Sequence, residues 1–495
     1  MRILTCWQPR AVALAAVLAA AAAAPASANV PVTQVSADPF SNNTSQHATE
    51  LEPDTFANGG GTLISTFQVG RFFNGGASDI GWARRDSLGN WTSGFLPGMT
   101  QQTDPANNTY ERVSDPSVAY DAQDGVWLIS SIPLKPGTLQ VPTVFINRST
   151  DDGQTWSNPI SMPPPAVSPK KLDLDKNWTA CDNTPTSPHY GNCYTEFDNF
   201  GEGDLEYMST STDGGVTWST PASTAGNDKG LGGQPLVQPN GNVIVPFESL
   251  NGKIAAFKST DGGATWSKAV TIGSAQSHGN SGGLRTSPLP TAEIDGAGNV
   301  YVAWQDCRFR KSCSSNDIVF SKSSNGVSWS PVARIPIDSV TSGADHFIPG
   351  LAVNTATSGS SADLALTYYF YPDAACTPST CVLQAGTISS PDGGANWGGT
   401  DTVGPSMTLD KIAATSQGRM VGDYISTSFL QSGAYETTVA IGKAPTGGRA
   451  FDEGMYAPTT PLTVATSGLT PAQTSGAHQF TGQGTGETHH ALRND

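Results

Sequence analysis

Charge is scarce in this sequence, and positive charge is scarcest. Charged residues fill 14% of the 495 positions, and 26 Lys and Arg stand against 42 Asp and Glu, a formal net charge of −16 at pH 7. Such a chain would have to approach a bare phosphate backbone against its own field, which excludes nucleic acid as a partner. Long apolar runs are missing beyond the first 28 residues: none approaches the roughly 18 residues of a membrane helix, so no membrane span is expected and the mature chain should be soluble. CxxC is absent, and no His lies at metal-ligand spacing from a cysteine, which leaves zinc without a ligand set. The 37% hydrophobic content, with 54 Gly and 35 Pro, excludes collagen, a coiled coil and a mostly disordered chain.

What is present begins with an Ala/Val/Leu run from Ala11 to Ala24, preceded by Arg2 and Arg10 and followed by Ala26-Ser27-Ala28, small residues at −3 and −1 of a cleavage site. Residues 1–28 therefore read as a secretory signal. Cys6 lies upstream of the apolar core, the wrong place for a lipid-modified cysteine, and the C-terminal TGETHHALRND has no hydrophobic tail, so free secretion is expected. The six remaining cysteines fall as close pairs, Cys181 and Cys193, Cys307 and Cys313, Cys376 and Cys381. In an exported chain this favours three local disulfides, each closing a small loop and each worth about 2–3 kcal/mol.

A repeat organises the rest. STDDGQTW (149–156), STDGGVTW (211–218), STDGGATW (259–266) and SPDGGANW (390–397) share SxDxGxxW. Two degenerate copies join them: SNGVSW ending at Trp329, with Ser324 in place of Asp, and DSLGNW ending at Trp91. Successive Trp residues stand 65, 62, 48, 63 and 68 apart. The Asp can accept N–H bonds from the turn that follows it, Gly supplies φ > 0, and β-rich segments flank each copy, so each is a hairpin turn.

These residues resemble the Asp-box (BNR) repeat of the sialidase-like β-propellers, over nearly the whole mature chain. The resemblance implies an all-β fold with almost no helix. It also implies that the boxes lie on the face opposite the active site, as scaffold without chemistry. Seven strand entries lie between the boxes: LEPDTF at 51, SDPSVAYD at 114, DKNWTACD at 175, GQPLVQP at 233, TSPLPTAEID at 286, HFIPGLAVN at 346 and VGDYISTSF at 421. Six boxes and seven entries agree if the last blade takes its outer strand from the N-terminus, where PVTQVSADP (31–39) resembles the segments after each box. We therefore expect a sialidase-like β-propeller of seven blades, rather than the six of true sialidases, closed by the N-terminal strand. The propeller should span 29–460, with a tail over 461–495 that completes the last blade or is disordered.

In a propeller, the loops entering each blade share a face with those joining second and third strands. The entries should send Glu52, Arg112, Asp115, Asp175, Lys176, Arg285, Asp345, His346, Asp423 and Tyr424 towards the axis, and the other loops Arg71, Glu248, Asp306, Arg308 and Arg310. Phe67-to-Arg71 and Trp304-to-Arg308 share a spacing, which suggests equivalent rim positions for the two arginines. Guanidinium forks pair bidentately with carboxylates, so an acidic sugar suits them; single Arg and Asp residues also serve as ion pairs between loops.

The family resemblance implies three Arg gripping a substrate carboxylate, a Tyr nucleophile with a Glu, and an Asp acid/base. By motif and chain order these fall on Arg71, Arg285 and Arg308, on Tyr424 with Glu248, and on Asp115. The sequence departs from the family where an Arg-Ile-Pro entry belongs: it reads Leu51-Glu52-Pro53, and ARIPID (333–338) follows a box on an outer strand. Asp115 with Glu52 or Asp423 offers another acid/base or nucleophile pair, and Tyr424 with His346 would suit β-elimination. Phe72, Phe73, Trp178 and Phe347 are candidates to stack on sugar rings. DLDKN (173–177) offers oxygen ligands for a structural Ca²⁺ but lacks EF-hand spacing; no other cofactor is expected.

The expectation is a secreted monomer acting on a glycan or glycoconjugate, as an exo-acting glycoside hydrolase of sialidase-like type on acidic sugars. A non-catalytic glycan- or protein-binding propeller and a propeller polysaccharide lyase are the alternatives.

Overall fold

A computed structural model describes residues 29–106 and 109–478; the expected signal segment and residues 479–495 lie outside the described residues. Turn signals break the chain into short strands, and among the described residues helix is limited to six three-residue 3₁₀ turns. The strands assemble in chain order into antiparallel sheets. Glu50–Ala57, Leu63–Arg71, Ala77–Arg85 and Trp91–Phe95 form one group, tied to the next (Arg112–Asp121, Val126–Leu134, Phe145–Ser149, Ile160–Ser161) by a single pair, Ala77 with Val113. Leu174–Cys181, Cys193–Asn199, Leu205–Ser211 and Ala222–Ser223 follow, and then the sheets built on Val243–Ser249, on Val300–Asp306 and on Leu364–Tyr371. The last group is Ser426–Phe429, Tyr435–Gly442 and Glu453–Pro458, to which Val32–Gln34 adds antiparallel. Asn29–Val30 pairs with Thr402–Val403 of the preceding sheet, so the N-terminal segment straddles two sheets.

The leading strands pack on one another around an axis, and side chains bond one to the next. Asp54 accepts from Val118 N at 2.8 Å, Ser117 from Thr179 N at 3.2 Å, and Thr291 from Leu351 N at 3.0 Å. Thr427 donates to Gly350 O at 2.9 Å, and the ring closes where Thr55 meets Ser426 and Ser428, each at 2.9 Å. The result is an all-β propeller, and such closure removes free sheet edges. Residues 461–478 meet the last group at one bridge, Leu462 with Tyr435, and then leave it: Thr470–Pro471 pairs with the Asn396–Thr408 strand and Gln473 with Arg334. The N-terminal strand, not this tail, supplies that group's outer edge.

The boxes behave as turns. Asp213 accepts from Val216 N, Thr217 N, Thr217 Oγ1 and Ser211 Oγ, and Ser211 Oγ accepts in turn from Gly215 N. Asp151, Asp261 and Asp392 repeat the pattern. In the degenerate copy it is Asn325, one place beyond Ser324, that accepts from Val327 N and Ser328 N. The expected substitution at Ser324 is thereby corrected: the loop is one residue shorter, and an amide oxygen does the carboxylate's work. Each box also grips the neighbouring sheet. Arg84 donates to Asp152 O, Arg148 to Gly214 O and Lys322 to Gly393 O, at 2.7, 2.6 and 3.0 Å.

Trp397 is 1% exposed, edge-on to Phe320 at 5.8 Å, and its Nε1 donates to Gly394 O. Trp397→Ala should lower the unfolding free energy by about 3–5 kcal/mol in chemical denaturation, whereas Trp91→Ala, at a half-buried degenerate copy, should cost less than half of that.

Candidate functional site

Four leading strands share a backbone irregularity. Their pairing slips between Leu51 and Asp54, between Ser114 and Ser117, between Asp175 and Trp178, and between Phe347 and Gly350. Inside each slip one non-glycine residue is left-handed: Glu52 (φ 61°), Asp115 (φ 51°), Lys176 (φ 51°) and Ile348 (φ 49°). A bulge of this kind redirects a side chain at a cost of about 1–3 kcal/mol, and bulges recur beside functional sites. Here three of the four carry charge to one mouth of the ring.

There the charges interlock. The Lys176 ammonium contacts Asp423, lies 3.4 Å from Asp115 Oδ2 and 3.9 Å from Glu52 Oε1, and Arg285 also grips Asp423. Asp423 N donates to Glu52 Oε1 at 3.2 Å, and Glu52 N donates to Val421 O at 3.0 Å. Gln68 links the remaining members: its amide donates to Glu52 and to Ser114 Oγ, and its carbonyl accepts from Arg71 Nη1 at 2.7 Å. Arg71 Nε and Asp115 Oδ2 are buried and make no hydrogen bond. Arg71, Ser114, Asp115, Lys176 and Arg285 line a cleft of about 190 Å³, walled by Asn74, Gly75, Phe200, Asp204 and Leu231.

Burial sets the protonation states. Glu52, desolvated first and repelled by Asp115 second, is pushed up to about 8. Burial works to raise Asp115 and Asp423 as well, but Lys176 with Ser114 holds Asp115 below the usual range, and Arg285 with Lys176 holds Asp423 far below it. Burial disfavours the Lys176 charge, yet Asp115, Asp423 and Glu52 outweigh it and keep the ammonium protonated. At neutral pH Glu52 therefore keeps its proton, and three cations (Arg71, Lys176, Arg285) face two ionised carboxylates (Asp115, Asp423). Asp173, Asp175 and Asp204 also line the cleft, so the three cations do not make its lining positive as a whole.

Of the residues expected from the sequence, Glu52, Asp115, Asp423, Tyr424, Arg71 and Arg285 come together. Tyr424 is no activated nucleophile as it stands: its hydroxyl donates to Pro116 O at 2.8 Å, and burial, followed by the charges of Glu52 and Asp115, raises it well above the ordinary value. Glu248 lies on the Val243–Ser249 strand, opposite Leu231 and Ile254. Arg308 is taken by Asp306 and Ser274 O and lies over Trp304, so its match to Arg71 ends at the sequence. Arg112 lies over Phe72 at 4.2 Å and donates to Asn74 Oδ1 and Gly75 O; it shapes the cleft wall instead of facing the cluster.

His346 is buried against Phe370, with Nδ1 3.2 Å from Asn316 O and Nε2 3.8 Å from Asp338, so the Tyr424–His346 pair is not assembled. Of the candidate aromatics, Phe72 and Phe347 are buried, Trp178 packs edge-on against Tyr424, and Phe73 is 56% exposed beside the cleft. In DLDKN, Asp173 accepts from Val141 N and Asp175 from Lys176 N, while the Lys176 ammonium turns to Asp115 and Asp423 outside the segment. Lys176, placed near the axis by sequence but given no role there, is the hub; Gln68 and Ser114 were missed, and nothing local marks them.

Residues 61–288 match a family model described as a BNR repeat-like domain. That segment is BNR repeat-like, and it lies within an all-β propeller. No curated protein matches it. Among solved structures, this propeller resembles a polysaccharide lyase described as an ulvan lyase (13% identity, 90% of this chain and 97% of that one, TM-score 0.46). It also resembles a sialidase of Trypanosoma rangeli (13%, 74% and 60%, TM-score 0.45) and an α-L-arabinofuranosidase of Fusarium graminearum (14%, 70% and 92%, TM-score 0.40). At that distance no residue role passes from them to the propeller.

The three disulfides join Cys181 to Cys193, Cys307 to Cys313 and Cys376 to Cys381. Two of them frame the connection that delivers Arg285: Cys307 N donates to Gln276 O, Ser281 Oγ to Ala374 O, and Gly282 packs against Cys381.

The Glu52 shift has a sign. A carboxyl raised from 4.5 to about 8 binds more protons folded than unfolded between those values, so its contribution to stability is lost as pH rises through that window. Glu52→Gln should flatten this part of the stability–pH curve, measured by urea denaturation at intervals from pH 5 to 9.

Proposed function

We propose that this propeller is a secreted, glycan-active protein, an exo-acting glycoside hydrolase that takes the terminal acidic sugar of a glycan into the mouth of a seven-bladed ring. The observation that carries the reading is Glu52 and Asp115 on one ammonium, the first holding a proton at neutral pH and the second ionised, over a cleft that presents Arg71 and Arg285. Such a pair supplies a general acid together with a base or nucleophile. The arginines answer the sugar carboxylate bidentately. A cleft of 190 Å³ is smaller than the roughly 300–1,000 Å³ of drug-sized sites, which supports admission of a chain end and not a chain interior. Exposed Phe73 at the rim suits the next ring.

The ring closure through Thr55 and Ser426, with Val32–Gln34 as outer strand, supports the count of seven blades. The three disulfides support export, and the reading takes residues 1–28 as removed, 29–460 as the propeller and the chain as a monomer. One observation favours a binding module instead: Lys176 and Arg285 are already neutralised by Asp423 and Asp115.

The two readings part on a panel of sialosides, uronic-acid polymers and arabinans, scored for reducing sugar and for the absorbance of unsaturated uronates. A hydrolase releases reducing sugar from an acidic substrate without that absorbance. Asp115→Asn or Glu52→Gln should then cut turnover about 10²–10⁴-fold with binding largely kept, and activity should fall as pH rises past about 8. No release from any substrate overturns the hydrolase and leaves the binding module. Unsaturated product overturns it in favour of a lyase.

A further inference from the structure

A second cavity opens beside the cleft, between the sheet built on Val243–Ser249 and the sheet before it. That preceding sheet ends early: its outer strand, Ala222–Ser223, is two residues long and pairs only with Tyr207 and Met208. Past it the chain turns through Asn227, left-handed at φ 48°, and returns along Lys229 and Gly230. On the facing sheet, Phe247 pairs with Ala255 and Ala255 with Thr271, one row that shares a side. This row floors a hollow of about 420 Å³. Its polar rim is Asn227, Asp228 and Lys229 on the connection entering the sheet, and Ser249, Asn251 and Lys253 on the hairpin after the Val243–Ser249 strand. Leu231 lines the cleft with Arg71 and Arg285, and Lys229, two residues before it, lines the new cavity, so Lys229–Leu231 borders both.

The rim holds two ammonium groups and one carboxylate. The carboxylate is committed to the fold: Asp228 Oδ2 accepts from Thr224 Oγ1 at 2.6 Å and from Ala269 N at 2.9 Å. Lys229 donates to Glu202 O at 2.7 Å, which uses one of the three N–H groups of its ammonium. Lys253 is exposed, and its ammonium makes no hydrogen bond or ion pair among the described residues. The Ser249 hydroxyl donates to Asn251 Oδ1 at 2.7 Å, which leaves the N–H groups of that amide as donors. An apolar floor with a few polar groups at the rim, in a volume within the roughly 300–1,000 Å³ of small-molecule sites, is the composition of a ligand site.

We propose that this cavity binds a second carboxylate-bearing sugar of the glycan whose end enters the cleft; the choice of an acidic glycan rests on the function proposed above. Lys253 and Lys229 offer point charges to the carboxylate. Asn227 and Asn251 offer amide donors and acceptors to ring hydroxyls, and Phe247, Ala255 and Val270 meet the apolar C–H side of the ring. A chain of net charge −16 repels an acidic glycan at long range, so local cations of this kind decide where it settles. Because the two hollows share the Lys229–Leu231 wall, a glycan long enough to reach both is held more tightly than either sugar alone.

The test uses the full secreted chain with labelled Ile, Leu and Val methyl groups, whose NMR signals report each hollow separately: Leu250 and Val270 line the cavity, and Ile132 and Leu134 line the cleft. Thio-linked sialyllactose and thio-linked digalacturonate, which hydrolysis leaves intact, are titrated in turn, with arabinobiose as the neutral control. The expected result is a saturable shift of Leu250 and Val270 with an acidic probe and none with arabinobiose; the probe that produces it identifies the sugar. Lys253→Ser should weaken that binding about tenfold or more, while the responses of Ile132 and Leu134 stay as in the wild type. Thr271→Trp, which fills the cavity from an exposed rim position, should abolish it. No shift at Leu250 and Val270 would overturn the proposal, and the cleft methyls would then show whether the reading of the cleft stands. Shifts at Leu250 and Val270 beside a silent cleft would count against the cleft and leave this cavity as the glycan site. A response to arabinobiose equal to that of the acids, or one undiminished in both variants, would overturn the proposal as well.

Discussion

Three carboxylates can be buried at the mouth of this ring because a single ammonium stands among them. Lys176 stands among Asp423, Asp115 and Glu52, and Arg285 shares Asp423, so the desolvation of Asp115 and Asp423 is met by a cation within reach, while Glu52 meets its own by keeping a proton. The same groups close the ring: Asp423 N bonds Glu52 Oε1, and Glu52 N bonds Val421 O, which stitches the last entry to the first. Chemistry and closure thus depend on one set of contacts. A change at the site is felt by the architecture, and the left-handed backbone at Glu52, Asp115 and Lys176, which recurs at uncharged Ile348, belongs to the entry bulge and not to the ions.

What the sequence discloses and what it conceals follow from range. The Asp boxes are legible because the turn is local: Ser, Asp and Gly within five residues bond one another, and the Trp follows at once. The cysteine pairs are legible for the same reason. The site is legible only as a list of residues near the axis. Its members come from Glu52, Arg71, Asp115, Lys176, Arg285 and Asp423, the outermost 371 residues apart, and which cation meets which acid is decided by the closed ring. Phe67-to-Arg71 and Trp304-to-Arg308 look alike in sequence, yet Asp306 lies two places before Arg308 and captures it, while Arg71 is left to Gln68. His346 is likewise diverted by its neighbours Asn316 and Phe370.

Placement of Arg285 shows how the fold spends its covalent links. The connection before it carries little secondary structure of its own, and two disulfide-closed loops hold it at Gln276 and Gly282 before Arg285 N bonds Arg419 O at 2.7 Å. A guanidinium that must meet Asp423 across the ring needs such an anchor, because a mobile loop would lose that contact to conformational entropy. The tail residues Thr470–Pro471 and Gln473 pair instead with the Asn396–Thr408 strand and with Arg334.

The most direct measurement is a double-mutant cycle on folding stability, combining Lys176→Met with Asp423→Asn at pH 7. If the ammonium and the carboxylate belong to one buried network, the two losses will not add, and the coupling energy will be about 1.5–3 kcal/mol. Additivity within about 0.5 kcal/mol would contradict the account, because the mouth of the ring would then hold independent charges and no coupled centre.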